Sequence, residues 1–131
     1  MKQEMIMKLL EMALSTDDEK TQSTPPAPSV KIGSHMIGSK VIIRTYSAGV
    51  WFGVLDHKEG SEVILRDARR MYRWWAAESI SLSAVSIHGI KHDKSKICEA
   101  VGSVWLEAIE IIPCTAKAIE SIEGAENVKA Q

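Results

Sequence analysis

Apolar residues in this chain change their spacing three times. Over 1–14 (MKQEMIMKLLEMAL), Met5, Ile6, Leu9, Leu10, Met12 and Ala13 recur with a helical period, which predicts a short amphipathic helix. Residues 15–35 hold three prolines and, up to 29, almost nothing apolar, so they bury too little surface to offset ordering and read as a flexible linker. From Lys40 the pattern becomes that of strands. Residues 40–45 (KVIIRT) and 50–56 (VWFGVLD) are β-branched or aromatic runs joined through Ser47, Ala48 and Gly49, and Gly49 can supply the positive φ of a tight hairpin. A second turn at 57–60 (HKEG) leads to a strand at 61–66 (SEVILR). Residues 67–70 (DARR) interrupt the apolar pattern, and 71–77 (MYRWWAA) read as a fourth strand. These runs predict an antiparallel meander.

Further on, 81–88 closes at Gly89 like a short helix with a glycine cap, and 90–96 (IKHDKSK) is a charged loop. Residues 96–101 and 104–112 read as further strands, although the spacing of Leu106, Ile109 and Ile112 also suits a helix. Pro113 ends that segment, and Thr115 is placed as the N-cap of a helix over 116–122 that Gly124 terminates. The fold class expected is α+β, mainly an antiparallel meander-type sheet with a short C-terminal helix and a separate N-terminal helix. The ligand-binding domain is assigned to 36–123, with a frayed tail over 124–131.

Charge and chemistry narrow the function. Sixteen basic side chains balance seventeen acidic ones, for a net charge of −1, which argues against a general nucleic-acid binder. No apolar run approaches the roughly 18 residues of a membrane span, and the N-terminus lacks the pattern of a secretory signal. Cys98 and Cys114 have no CxxC or zinc-site context, so both are expected as buried thiols of a cytosolic protein, with no metal. No GxSxG surrounds Ser79, Ser81, Ser83 or Ser86, Glu107 and Glu110 are expected to face solvent, and no phosphate-binding glycine loop occurs. No catalytic residues and no cofactor are expected.

The informative feature is a concentration. All five arginines (Arg44, Arg66, Arg69, Arg70, Arg73) and six of the seven rings (Tyr46, Trp51, Phe52, Tyr72, Trp74, Trp75) lie between positions 44 and 75. Arginine offers a planar fork for phosphate, and aromatic faces stack on nucleobases at about 1–3 kcal/mol per base. A structural reading competes: in alternating strands half of these rings must enter the core, and Arg66 and Arg73 can pair with Asp56, Glu62 or Asp67 at little energy. On the binding reading, Arg44 with Arg69, Arg70 or Arg73 meets phosphate. The turn Thr45, Tyr46, Ser47, Ala48 and Gly49 offers N–H groups to an anion. Tyr72 and either Trp74 or Trp75 stack on a base.

The run Val41–Val50 (VIIRTYSAGV) with Phe52-Gly53, then Ala68-Arg69-Arg70 leading into an aromatic strand, and 107–114 (EAIEIIPC) resemble a phage-encoded group that includes the first Thoeris anti-defence family. The resemblance covers about residues 37–123. It implies a non-catalytic sponge that sequesters cyclic ADP-ribose isomers (gcADPR) made by bacterial TIR enzymes, some members also holding cyclic oligonucleotides of CBASS. It also implies a homo-oligomer, up to a hexamer, acting in the host bacterial cytoplasm with neither membrane nor nucleic-acid polymer as partner. The alternative is a nucleic-acid-binding or phage structural and assembly module, with the N-terminal helix as an oligomerisation handle. A nucleic-acid face would give strongly salt-dependent binding, which the net charge disfavours.

Overall fold

The computed structural model describes residues 31–129. The helix expected over 1–14, and the linker as far as residue 30, lie outside the described residues. The chain divides into two units at Ile32/Gly33, and the second carries everything that follows. That unit opens with a 3₁₀ turn, Ser34–Met36, closed by the Met36 N–H donating to Gly33 O at 3.0 Å, and Met36 packs against the apolar core.

Five strands follow: β1 (Lys40–Thr45), β2 (Val50–Glu59), β3 (Glu62–Arg73), β4 (Lys96–Ile97) and β5 (Val101–Pro113), with helix α1 (Leu82–His88) between β3 and β4 and α2 (Ala116–Glu123) after β5. The architecture is mainly antiparallel β with two short helices, as the strand spacing predicts. Its order is β2-β1-β5-β3-β4, and β2 also pairs with β3, so four strands close a ring and, among the described residues, only β4 extends from it. Each strand of the ring alternates. Val41 and Ile43 of β1, Trp51 and Leu55 of β2, Val63 and Leu65 of β3, and Leu106 of β5 fill the interior. Ile42 and Phe52 face outward, yet they too are buried, because α1, α2, Ile90 and Ile97 form a second apolar layer over that side. Burial on both faces explains why β1 reads as an unbroken apolar run. Ile42 and Ile43 have no exposed surface, and each contributes about 1.5–3 kcal/mol by leaving water.

Where β2 crosses β3 the ring is tight. A Cβ on Gly53 would lie 3.0 Å from Arg66 O and 3.1 Å from Ala68 Cα, so glycine is what lets the two backbones approach.

β3 differs from expectation in one instructive way. Residues 67–70 do not break the strand; they continue it through a bulge opposite Phe52–Val54, with Asp67 at φ 52°. Asp tolerates the left-handed region better than most residues. The bulge shifts the alternation, so Ala68 turns into the ring and Arg69 and Met71 turn toward the helical layer. The fourth strand expected at 71–77 is thus the end of β3, and Trp74 and Trp75 lie beyond it. Likewise 96–101 contains only the two-residue β4 before β5 begins, and β5 is a strand throughout.

Both helix starts follow local chemistry. The Ser81 side chain accepts from Ala84 N–H at 3.1 Å, and Thr115 accepts from Ala118 N–H at 3.2 Å while its hydroxyl donates to Ile87 O at 2.7 Å. Thr115 thereby caps α2 and ties it to the end of α1.

Candidate functional site

Ten of the twelve residues singled out from the sequence fall in four places, and Tyr72 and Trp74 lie outside them. The first is the turn between β1 and β2. Thr45 Oγ1 donates to Gly49 O at 2.8 Å and accepts from Ala48 N–H at 2.8 Å, and Thr45 N–H also donates to Gly49 O. Gly49 holds φ 87°, as the turn requires. Ala48 O accepts from Trp51 Nε1 at 3.0 Å and from the Arg70 guanidinium at 2.7 Å, which lies 4.3 Å over the Trp51 ring. Arg70 is therefore a clamp on the turn. The N–H groups of Thr45 and Ala48 are used within the turn and are not free for an anion, and Tyr46 and Ser47 lie on its tip. The Tyr46 ring is 91% exposed.

Arg44 stands apart: its Nε donates to Glu110 Oε1 at 2.8 Å on β5. Arg69 is spent inside the fold. Only 8% exposed, it donates to Cys98 O at 2.8 Å, Ile122 O at 3.0 Å, Asn127 Oδ1 at 2.8 Å and, weakly, Ile97 O at 3.5 Å. Burial lowers its pKa from the ordinary value, against the opposing pull of Cys98 and Glu123. With its donors taken by carbonyl groups, it has no fork left for phosphate.

The fourth place joins Arg73 to Trp75. Arg73 faces Lys96 across the β3–β4 pairing, Trp75 N–H donates to Ser95 Oγ at 3.0 Å, and Lys91 N–H donates to Trp75 O at 2.8 Å. These contacts fold the 91–96 loop beside the end of β3. The result is a concavity of about 350 Å³ lined by Arg73, Trp75, Asp93, Lys94, Ser95 and Lys96. Lys94 Nζ sits 5.2 Å from the centre of the Trp75 ring, which is 51% exposed. Three cations against one carboxylate give the hollow a positive field. Trp74, half-buried, packs on the outer apolar layer, so only one of the two tryptophans faces the concavity. Tyr72 is exposed on β3 but lines none of it. Asp93, Ser95 and Lys96 also border a larger hollow of about 560 Å³, closed on its far side by Glu126, Asn127 and Lys129.

Sequence reasoning missed Lys94 and Lys96, which it read as part of a solvated loop. Their signal was the charge run itself, but only the pairing of β4 with β3 brings them to Arg73. It also passed over Trp105, the ring outside the cluster. Trp105 lines a separate concavity of about 330 Å³ against Thr45–Ala48, whose one ionisable carboxylate, Glu107, makes it unsuited to phosphate.

Among the described residues no three His, Cys, Asp or Glu side chains gather as metal ligands. His88 and His92 are four apart in sequence but diverge, His88 lying 4.0 Å from Glu78 and His92 bonding Ser121 O at 2.8 Å. Both cysteines are free thiols, and burial pushes Cys114 up to about 12. No helix among the described residues is long and apolar enough to cross a membrane.

A family model described as a domain of unknown function (DUF6948) matches residues 38–122, spanning β1 to the end of α2. No curated protein and no solved structure matches the chain.

Proposed function

The chain belongs to the DUF6948 family, and from that premise we propose that it binds, without chemistry, a small anionic ligand bearing an aromatic ring, at the concavity of Arg73, Trp75, Lys94 and Lys96. The ligand class is a cyclic nucleotide signal, a cyclic ADP-ribose isomer or a cyclic oligonucleotide, sequestered in the bacterial cytoplasm where such signals are made. The observation that carries the reading is the half-exposed Trp75 ring with Lys94 over it, in a hollow that also holds Arg73 and Lys96. A base stacking on the ring contributes about 1–3 kcal/mol, and each charge-assisted bond to phosphate about 1.5–3 kcal/mol. The volume, about 350 Å³, lies at the small end of ligand sites, and the adjoining hollow across the 93–96 loop offers room for a second half of a cyclic ligand.

The test is calorimetric titration of the full chain with gcADPR and with cyclic oligonucleotides, followed by heat release and mass spectrometry of the ligand. Tight binding with intact ligand is expected. Arg73→Ala and Trp75→Ala should each weaken it by about tenfold or more, with unchanged melting. Arg44→Ala, whose partner is Glu110, should not. No binding, a cleaved ligand, or Arg73→Ala and Trp75→Ala proteins that both bind like the parent each overturn the proposal.

A further inference from the structure

β1 and β5 run side by side from the pair Val41 with Pro113 to the pair Thr45 with Ala108, the register slipping between Arg44 and Thr45. There they part. β1 turns through 46–49 into β2, while β5 continues toward Val101 beside β3. The notch between them is the concavity of about 330 Å³ that is unsuited to phosphate, and its walls are aromatic. Tyr46 stands on the turn side, and Trp105, 55% exposed, stands on the strand side. Leu106 and Ala108 pack toward the interior of the ring, so alternation directs Trp105, Glu107 and Ile109 to its outer face. The indole is held in place, since Trp105 Nε1 donates to Glu62 Oε1 at 2.9 Å. Trp105 also borders a smaller hollow of about 200 Å³, so its ring stands as a partition between the two.

The charge around this notch has one sign. Glu107 lines it, and Glu62 lies directly opposite Glu107 in the β3–β5 register. Like charges so placed repel. No Lys, Arg or His lines the hollow, and Arg44, the arginine next to the turn, is engaged by Glu110. The hydrogen-bonding atoms of the walls are largely engaged too. Thr45 Oγ1 donates to Gly49 O and accepts from Ala48 N–H, and Ser61 O accepts from Ala108 N–H at 2.8 Å. A primary ammonium would bring three N–H donors to walls with few acceptors to meet them. A fully methylated ammonium brings none, and ring faces and a carboxylate attract its charge without a hydrogen bond.

We propose that this notch binds a small quaternary ammonium cation, held between Tyr46 and Trp105 with Glu107 as its counter-charge. Glu62 acts at one remove, orienting the Trp105 ring and adding a second negative charge. A free cation suits the notch better than a phosphocholine headgroup, whose phosphate would meet the Glu62–Glu107 pair. The volume lies at the lower end of small-ligand sites. This notch and the Arg73–Trp75 concavity share no residue and carry opposite fields, so the cation site stands whether or not the other binds a nucleotide.

The probe is choline, titrated into the isotope-labelled full chain at constant ionic strength and followed by NMR. Saturable shifts are expected at the Trp105 indole N–H and the Leu106 and Ala108 amides, with a dissociation constant of roughly 1 mM. Dimethylbutanol, which has the same shape without the charge, should bind about tenfold more weakly, and ethanolamine and phosphocholine about fivefold. Glu107→Gln should weaken choline binding about fivefold yet melt no lower than the parent, because it also relieves the repulsion with Glu62. Trp105→Ala, read at the two amides, should abolish the shifts, and Trp105→Phe should keep most of them. The absence of a saturable shift overturns the proposal, as does dimethylbutanol, ethanolamine or phosphocholine binding as tightly as choline. So does a folded Glu107→Gln or Trp105→Ala protein that binds choline like the parent.

Discussion

Replacing Arg69 with alanine should destabilise this domain more than any other single change among its charged residues. The side chain holds together three segments distant in sequence: the stretch after β4 through Cys98 O, the end of α2 through Ile122 O, and the tail through Asn127 Oδ1. Three bonds of 2.8–3.0 Å are well formed, and the fourth, at 3.5 Å, contributes little. Charge-assisted bonds contribute about 1.5–3 kcal/mol each, a gross loss of several kcal/mol. Part is returned, because the variant no longer buries a guanidinium and water can reach the Asn127 side. A net loss of about 3 kcal/mol remains, near the lower end of what breaking a buried charged network costs. For a domain of this size that lowers Tm by about 12–24 °C. Lysine should not rescue it, since one ammonium cannot serve carbonyls lying in three directions. Arg73→Ala, with an exposed side chain, is the control and should shift Tm by no more than about 2 °C. Differential scanning fluorimetry with urea titration as a second measure decides the matter. An Arg69→Ala protein melting within about 3 °C of the parent would show that these bonds are replaced by water at no cost, and the structural assignment of Arg69 would fail.

Three further outcomes are expected. The Cys114 thiol, held up to about 12 by burial, should react with a thiol reagent far more slowly than Cys98 in the native protein. Because unfolding restores the ordinary value of 9.0, the unfolded chain binds fewer protons between the two values. Stability should therefore fall as pH rises from about 9 toward 12, and Cys114→Ala should remove that part of the slope in urea midpoints; an unchanged slope refutes it. Thr115→Ala should cost about 1–2 kcal/mol, since it loses both the cap and the bond to Ile87 O, whereas Thr115→Ser should lose less than half of that. Equal melting of the two variants would show that the hydroxyl contributes nothing.

What could be read in advance was local. The hairpin at Gly49, the cap Thr115 and the helix ends at Gly89 and Gly124 each depend on a residue and its near neighbours. β1 was legible because Ile42 and Ile43 are both apolar, whichever layer each enters. β3 was not, because its continuity depends on a bulge at Asp67 and on an arginine that looks polar but is buried among carbonyl groups. The candidate site divides the same way. Arginine and aromatic enrichment marked Arg73 and Trp75, but it marked Arg69 and Trp51 equally, and composition cannot distinguish a side chain that faces a hollow from one that clamps a turn. Lys94 and Lys96 became visible only through tertiary pairing.

The closed ring also has a consequence for the order in which the protein can be made. β1 is sealed on one side by β2, its neighbour in sequence, and on the other by β5, which is synthesised some sixty residues later. A ribosome adding roughly 5–20 residues per second needs several seconds to cross that gap. Throughout it, β1, β2 and β3 exist as an unclosed meander with Ile42, Ile43 and Leu65 uncovered and both outer edges open to other nascent chains. Slow, non-local closure makes the last strand the gate to solubility. A ribosome stalled just before Val101 should hold a chain bound by chaperones and open to protease, and one stalled well past Glu123 a chain already resistant.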